Sequence, residues 1–169
     1  MAQGSAADIE TMLARVPAGN KLELRLWLRM LSCVNLVSAE IRRNLRRDFD
    51  VTLPQFDVLS QLQREPKGLR LGELSRRLMV TKGNLTGLID TLADAGYVVR
   101  EAIPDDRRVQ MVRLTKAGAA LFARMAKTHE GWLAELLGDI NKPTLGSLIG
   151  ELEQVKNSIH RRSAATKKH

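Results

Sequence analysis

A length of 169 residues and an apolar content of 44% suit one ordinary domain with helical extensions and exclude a disordered chain. The formal net charge of +8 is compatible with a polyanionic partner but does not demand one. A single cysteine, Cys33, excludes an intrachain disulfide framework and any cysteine-based zinc site.

Residues 1–20 are small and polar, with Pro17 and Gly19, and are expected to form a loose arm. From Lys21 to Asp48 a helical period takes over: Leu26, Met30, Cys33, Val37, Ile41 and Leu45 recur at steps of three and four. Trp27, Leu31 and Val34 widen this stripe beyond what one neighbour can cover. Packing on both a domain and a partner subunit is therefore expected. Arg42, Arg43, Arg46 and Arg47 read as a solvated face.

Thr52-Leu53-Pro54 starts a second helix, because a threonine hydroxyl caps free amides and proline is tolerated in the first turn. Phe56, Leu59 and Leu62 face inward, and the stretch Glu65 to Gly68 stops it. A short helix is predicted from Leu71 to Leu78, then a tight turn at Val80-Thr81. Thr81 caps the next helix, whose Leu85, Leu88, Ile89 and Leu92 share a face and which Gly96 ends. Tyr97 to Glu101 and Val109 to Leu114 read as strands around a turn at Pro104-Asp105-Asp106. Thr115 caps a helix through Leu121, Phe122, Met125, His129, Trp132 and Leu136, and Asn141 with Pro143 opens a last one through Ile159. The tail 161–169 is basic and expected to fray. No run approaches transmembrane length and the opening residues lack a signal pattern, so a cytoplasmic protein is expected.

The order short helix, tight turn, capped helix, hairpin carries the functional reading. Two helices joined by a few residues form a helix-turn-helix, whose second helix fits the major groove. The face opposite its leucines presents Lys82, Gly83, Asn84, Thr86, Gly87 and Asp90. Lysine neutralises phosphate or reaches guanine, asparagine pairs with adenine, and threonine meets phosphate or thymine. Two exposed glycines cost the helix about 1 kcal/mol each, which is tolerable where a backbone must approach something closely. At the hairpin tip, Asp106 stands two residues before Arg108, and such a pair can pre-set a guanidinium for the minor groove. The expected fold is mainly α with a small β-hairpin wing: a winged helix-turn-helix at 51–114, a helical dimerisation region at 21–50 and 115–160.

The segments TLPQFDVL, LRLGELSRRLMVTKGNLTGLIDTLADAGYV and DDRRVQMVRLTKAG resemble the multiple-antibiotic-resistance-repressor (MarR) family. The resemblance covers roughly residues 22 to 160, and the D-x-R-x5-L-T strand ending is its most specific part. It implies a homodimeric transcriptional regulator, a repressor, on a pseudo-palindromic double-stranded DNA operator. It also implies a small-molecule effector between the dimerisation and DNA-binding parts. Thr81, Lys82, Gly83, Asn84, Thr86 and Gly87 would meet DNA, and the wing would contribute Asp106, Arg107 and Arg108. Three departures stand out. Met79 occupies a turn position where relatives often have glycine, Gly87 one where they often have arginine, and Arg70 one where they often have a capping threonine or serine.

Within that family the chain resembles the branch answering to aromatic acids or hydroxycinnamoyl-coenzyme A thioesters. The effector site expected from that resemblance, and from the clustering of aromatic and soft side chains, comprises Trp27, Met30, Phe56, Met125, His129 and Trp132. Cys33 offers a thiol-based sensing alternative, against which its expected burial beside Met30 and Val37 speaks. No enzyme is expected, with no catalytic residues, cofactor or metal: there is no metal-ligand spacing, phosphate-cradling loop or nucleophile elbow. The remaining rival is a sequence-neutral architectural DNA binder. It would more naturally carry lysine or arginine at both Asn84 and Thr86.

Overall fold

The computed structural model describes Thr11, 21–103 and 106–166, with side chains omitted at 102–109 and 166. The expected arm at 1–20 and the end of the basic tail at 167–169 therefore lie outside the described residues, Thr11 apart. Two compact units divide the chain, Met1–Glu130 and Gly131–His169.

The first unit opens with helix α1, Leu22–Phe49. Its inward face is set by Leu28, Ser32, Ile41 and Leu45. In the first half of α1 this differs from the expected stripe, because the apolar residues there exceed what the subunit itself covers. Leu22, Leu24, Leu26, Trp27, Val34 and Leu36 remain exposed, and so does Cys33. The expectation that Cys33 is buried does not hold in the single chain. Arg43, Arg46 and Arg47 pair with Glu40, Asp50 and Asp48, which gives the expected solvated face.

Helix α2, Leu53–Gln63, begins with a complete capping box: the Thr52 hydroxyl accepts from the Gln55 amide, and the Gln55 side chain accepts from the Thr52 amide. Its Phe56, Val58, Leu59 and Leu62 form the centre of the core. A two-residue strand β1, Leu69–Arg70, was not expected. It adds to the edge of the hairpin β2 (Val98–Ile103) and β3 (Asp106–Leu114), giving an antiparallel sheet ordered β1-β3-β2. Gly68 makes this pairing possible: its φ is +88°, and a Cβ would stand 2.7 Å from the Val112 carbonyl oxygen.

Helices α3 (Leu71–Leu78) and α4 (Lys82–Asp94) lie between β1 and β2 in the chain. Both pack on α2 and on each other, and α4 also packs on β2. Leu74, Leu85, Ile89 and Leu92 bury almost completely, each contributing about 1.5–3 kcal/mol relative to an exposed side chain. Helix α5, Lys116–Leu136, starts at Thr115, whose hydroxyl accepts from the Gly118 amide.

The second unit holds the end of α5 and helix α6, Lys142–Thr166. Asn141 caps α6 through the Thr144 amide at 2.9 Å. Helix continues to Thr166, so the fraying expected from Arg161 onward does not occur there. Alanines 164 and 165, strong helix formers, support that extension. Leu148, Ile149, Leu152 and Ile159 of α6 remain exposed.

Candidate nucleic-acid interface

Helix α4 is oriented by its buried residues. Leu85, Ile89 and Leu92 pin one face to the core, so the opposite face turns outward. Lys82, Gly83, Asn84 and Gly87 are exposed on it, with Thr86 half-buried. The α4 members of the sequence-predicted set thus share one surface. Thr81 caps the helix, accepting from the Asn84 amide at 3.3 Å. The Thr86 hydroxyl donates to the Lys82 carbonyl at 2.9 Å, which leaves its methyl group and oxygen lone pairs for a ligand. A Cβ at Gly83 or Gly87 would meet nothing within 4 Å, so nothing in the protein requires glycine there.

Asp90 is the exception on this face. Its carboxylate is held by Arg100 of β2 at 2.5 Å, and the same guanidinium donates to the Thr86 carbonyl at 3.0 Å. Sequence reasoning missed Arg100. The signal was present: Arg100 is two residues from buried Val98, hence on the same strand face, and a cation there needs acceptors.

The turn between α3 and α4 is built around Met79, with φ +54°, which realises the strained left-handed position its lack of glycine implied. Arg70 precedes α3 without capping it. It instead lines a cleft of about 770 Å³ with Leu71, Gly72, Glu73, Ser75, Arg76, Lys82 and Gln110. Arg70, Arg76 and Lys82 are exposed and make no ion pair among the described residues, whereas Glu73 is engaged by Arg77. The cleft is a cationic concavity adjoining the outward face of α4. Arg70, Arg76 and Gln110 were not among the expected site residues.

At the wing, Asp106, Arg107 and Arg108 belong to β3 by backbone, so the strand expected from Val109 begins three residues earlier. Ala102 and Ile103 flank a register irregularity opposite Gln110 and Asp106. The side chains of the expected wing triad lie outside the described residues.

The residues expected to hold an effector divide. Phe56 and His129 are in ring contact at 5.2 Å, and Phe56 also meets Phe122 at 5.5 Å, a residue not expected in the site. Met125 is buried one turn before His129, and Met30 is half-buried on α1. Trp27, 55% exposed, makes no ring contact among the described residues. Trp132 is buried and belongs to the second unit. Beside Phe56, the Asp57 carboxyl is drawn above the ordinary carboxylate range by partial loss of surrounding water, although the residue as a whole stays exposed, and the His129 ring pulls the other way. Among the described residues, no group of three or more histidine, cysteine, aspartate or glutamate side chains could hold a metal, and no helix is long and apolar enough to cross a membrane.

Comparison with known proteins places this geometry. A family model described as MarR family matches residues 49–109. The transcriptional activatory protein BadR of Rhodopseudomonas palustris is 34% identical over 150 residues, spanning 82% of this chain and 84% of that protein. The chain belongs to the MarR family. The crystal structure of a MarR family regulator from Silicibacter pomeroyi superposes with a TM-score of 0.72 at 31% identity, covering 85% of this chain and 99% of that one. A Streptomyces coelicolor MarR family regulator, solved in complex with DNA, shares the fold at a TM-score of 0.70 and 24% identity, covering 85% and 91%. This protein is accordingly a DNA-binding transcriptional regulator with a winged helix-turn-helix, not an enzyme.

Proposed function

We propose that the protein acts as a ligand-responsive cytoplasmic homodimer that inserts α4 of each subunit into successive major grooves of a pseudo-palindromic operator. The outward face of α4 carries this reading: Lys82, Gly83, Asn84 and Gly87 are exposed on it beside Arg70 and Arg76, and none of these three cations makes an ion pair among the described residues. Asn84 and Thr86 would read base edges, Thr81 and Lys82 the adjoining backbone, and the two glycines would admit close approach. Asp106, Arg107 and Arg108 would serve the wing at the neighbouring minor groove. Two-fold spacing of the recognition helices at one DNA turn, about 34–36 Å, sets the half-site separation.

Dimerisation is assigned to 21–50 and 115–160, and the DNA-binding domain to 51–114. Support comes from the uncovered apolar side chains of α1, Leu22 to Leu36, and separately from those of α6, Leu148 to Ile159. Sedimentation at micromolar concentration tests this assignment. A fully helical monomer would overturn it.

The effector is an aromatic acid or its coenzyme A thioester, received near Phe56, Met125 and His129, with Trp27 and Met30 completing the site. A differential affinity of about 100-fold between free and DNA-bound forms would provide roughly 2.7 kcal/mol per site, enough to empty an operator. The decisive experiment selects bound fragments from the source genome and titrates the complex with p-coumarate, ferulate, benzoate and their thioesters. A strong preference for one palindrome separates this reading from a sequence-neutral architectural binder. Failure of every compound to weaken binding removes the effector assignment alone.

Repression follows if the operator overlaps a promoter. BadR is named as an activatory protein, and that similarity favours activation as a second reading. A reporter gene behind the selected fragment distinguishes the two by the sign of its response. Cys33, exposed in the single chain, is the thiol of the less favoured redox reading.

A further inference from the structure

The recognition helix is fixed to the core by Leu85, Ile89 and Leu92, which settle the face that turns inward. Its fine rotational setting also depends on directional polar contacts. Among the described residues, one side chain supplies such contacts between the sheet and α4. Arg100, on β2, directs Nη2 to two acceptors one helical turn apart, the Thr86 carbonyl at 3.0 Å and the Asp90 carboxylate at 2.5 Å. Its side chain is 24% exposed, and its Nε is buried with no hydrogen-bond partner. The charge therefore depends on the two α4 acceptors, and losing either leaves a poorly solvated cation.

Position gives this clamp its consequence. Thr86 lies between Asn84 and Gly87 on the outward face, so the acceptors of Arg100 belong to the same turn that carries the base-reading candidates. Arg100 also pairs in register with Val112 of β3, at the root of the wing. One guanidinium thus couples the rotation of α4 to the strand pair that ends in the wing tip.

We propose that Arg100 is a positioning residue for operator recognition, with Asp90 as its anchor: the pair sets the rotational setting of α4 relative to the wing without itself touching DNA. The proposal rests on the reading of α4 as the recognition helix. Base contacts are short and directional, so a helix free to roll loses discrimination before it loses backbone attraction.

The test compares Asp90→Asn, Arg100→Lys and the double variant for binding to the selected operator and to a scrambled duplex over a salt series. Asp90→Asn alters an exposed side chain and preserves its shape, so it keeps the question open if Arg100→Lys fails to fold. Each single variant is expected to lose about tenfold in operator affinity, with scrambled-duplex affinity and salt slope unchanged. The double variant should lose no more than the worse single one, because both remove the same contact. Equal loss on both duplexes would make the pair a matter of fold stability and overturn the proposal. A salt slope lowered by about one phosphate-equivalent per subunit in Arg100→Gln, which removes the charge, would make Arg100 a direct contact, again overturning it. Unchanged specificity in both variants overturns it too. Absence of any operator preference in the parent protein would instead strike the recognition-helix reading itself.

Discussion

The Ser75 hydroxyl donates to the Val80 carbonyl at 2.6 Å, closing the turn that joins α3 to α4 across the left-handed Met79. The Val80 amide in turn donates to the Ser75 carbonyl at 3.2 Å. The pair holds a turn whose central residue is unfavourable there, and Met79 is 93% exposed, so its side chain offsets none of that strain.

Replacing Met79 with glycine should therefore raise stability by about 1 kcal/mol, since the left-handed penalty for a non-glycine residue is roughly 1–2 kcal/mol and glycine returns part of it as unfolded-state entropy. Chemical denaturation of the two proteins measures the difference. Ser75→Ala should act in the opposite direction, by about 1 kcal/mol, because the part-buried Val80 carbonyl loses its donor.

Glycines 87 and 118 should separate cleanly. At Gly118 a Cβ would stand 2.0 Å from the Tyr97 carbonyl oxygen, so Gly118→Ala must displace backbone and should destabilise by several kcal/mol, roughly 3 or more. Gly87→Ala meets nothing and should stabilise the helix by about 0.5–1 kcal/mol. If Gly87 exists for close approach to DNA, the more stable variant binds its operator less well. A gain in both stability and affinity would remove that role.

Asn84→Ala should cost about 1–3 kcal/mol of operator affinity at one base pair per half-site and relax specificity there. Arg108→Ala should instead flatten the salt dependence by about one unit per subunit, with Asp106→Ala reproducing part of the loss. Binding to a panel of single-base operator variants at several salt concentrations distinguishes the two patterns. Parental behaviour of both wing variants would reject the wing assignment.

Two carboxylates should give stability profiles of opposite sign. Asp57 is pushed above its ordinary value of 3.8, so the folded state holds its proton more tightly. That favourable contribution is full below 3.8 and is lost as pH rises through the raised folded value. Asp57→Asn should consequently stabilise at neutral pH and lose that advantage below 3.8. Glu101 is held below its ordinary 4.5 by the hydrogen bond and charge of Arg113. Its contribution is present above 4.5 and disappears as pH falls through the depressed value, so Glu101→Gln should destabilise at neutral pH and converge with the parent in acid. Thermal melts from pH 3 to 7 would show whether the two differences diverge in this way.

The sequence by itself determined the elements whose causes are local. Thr52, Thr81, Thr115 and Asn141 announce helix starts because each side chain satisfies an amide within three residues of itself. The leucine spacing of α4 likewise settled which of its faces turns outward, and so where the candidate DNA contacts lie. Tertiary structure decided what depends on chain segments far apart. Strand β1 exists because Leu69 and Arg70 find Val112 and Met111 some forty residues on, and two residues carry no period from which a strand could be read. The inward face of α1 followed the surfaces actually available: more apolar side chains were present than one subunit could cover, and Cys33 fell among the uncovered. Arg100 finds its acceptors fourteen and ten residues back, on a helix whose own pattern gives no sign of needing a cation. Periodicity records which side of an element is apolar. Which charged group closes a gap between elements is set only when packing brings them within hydrogen-bonding reach.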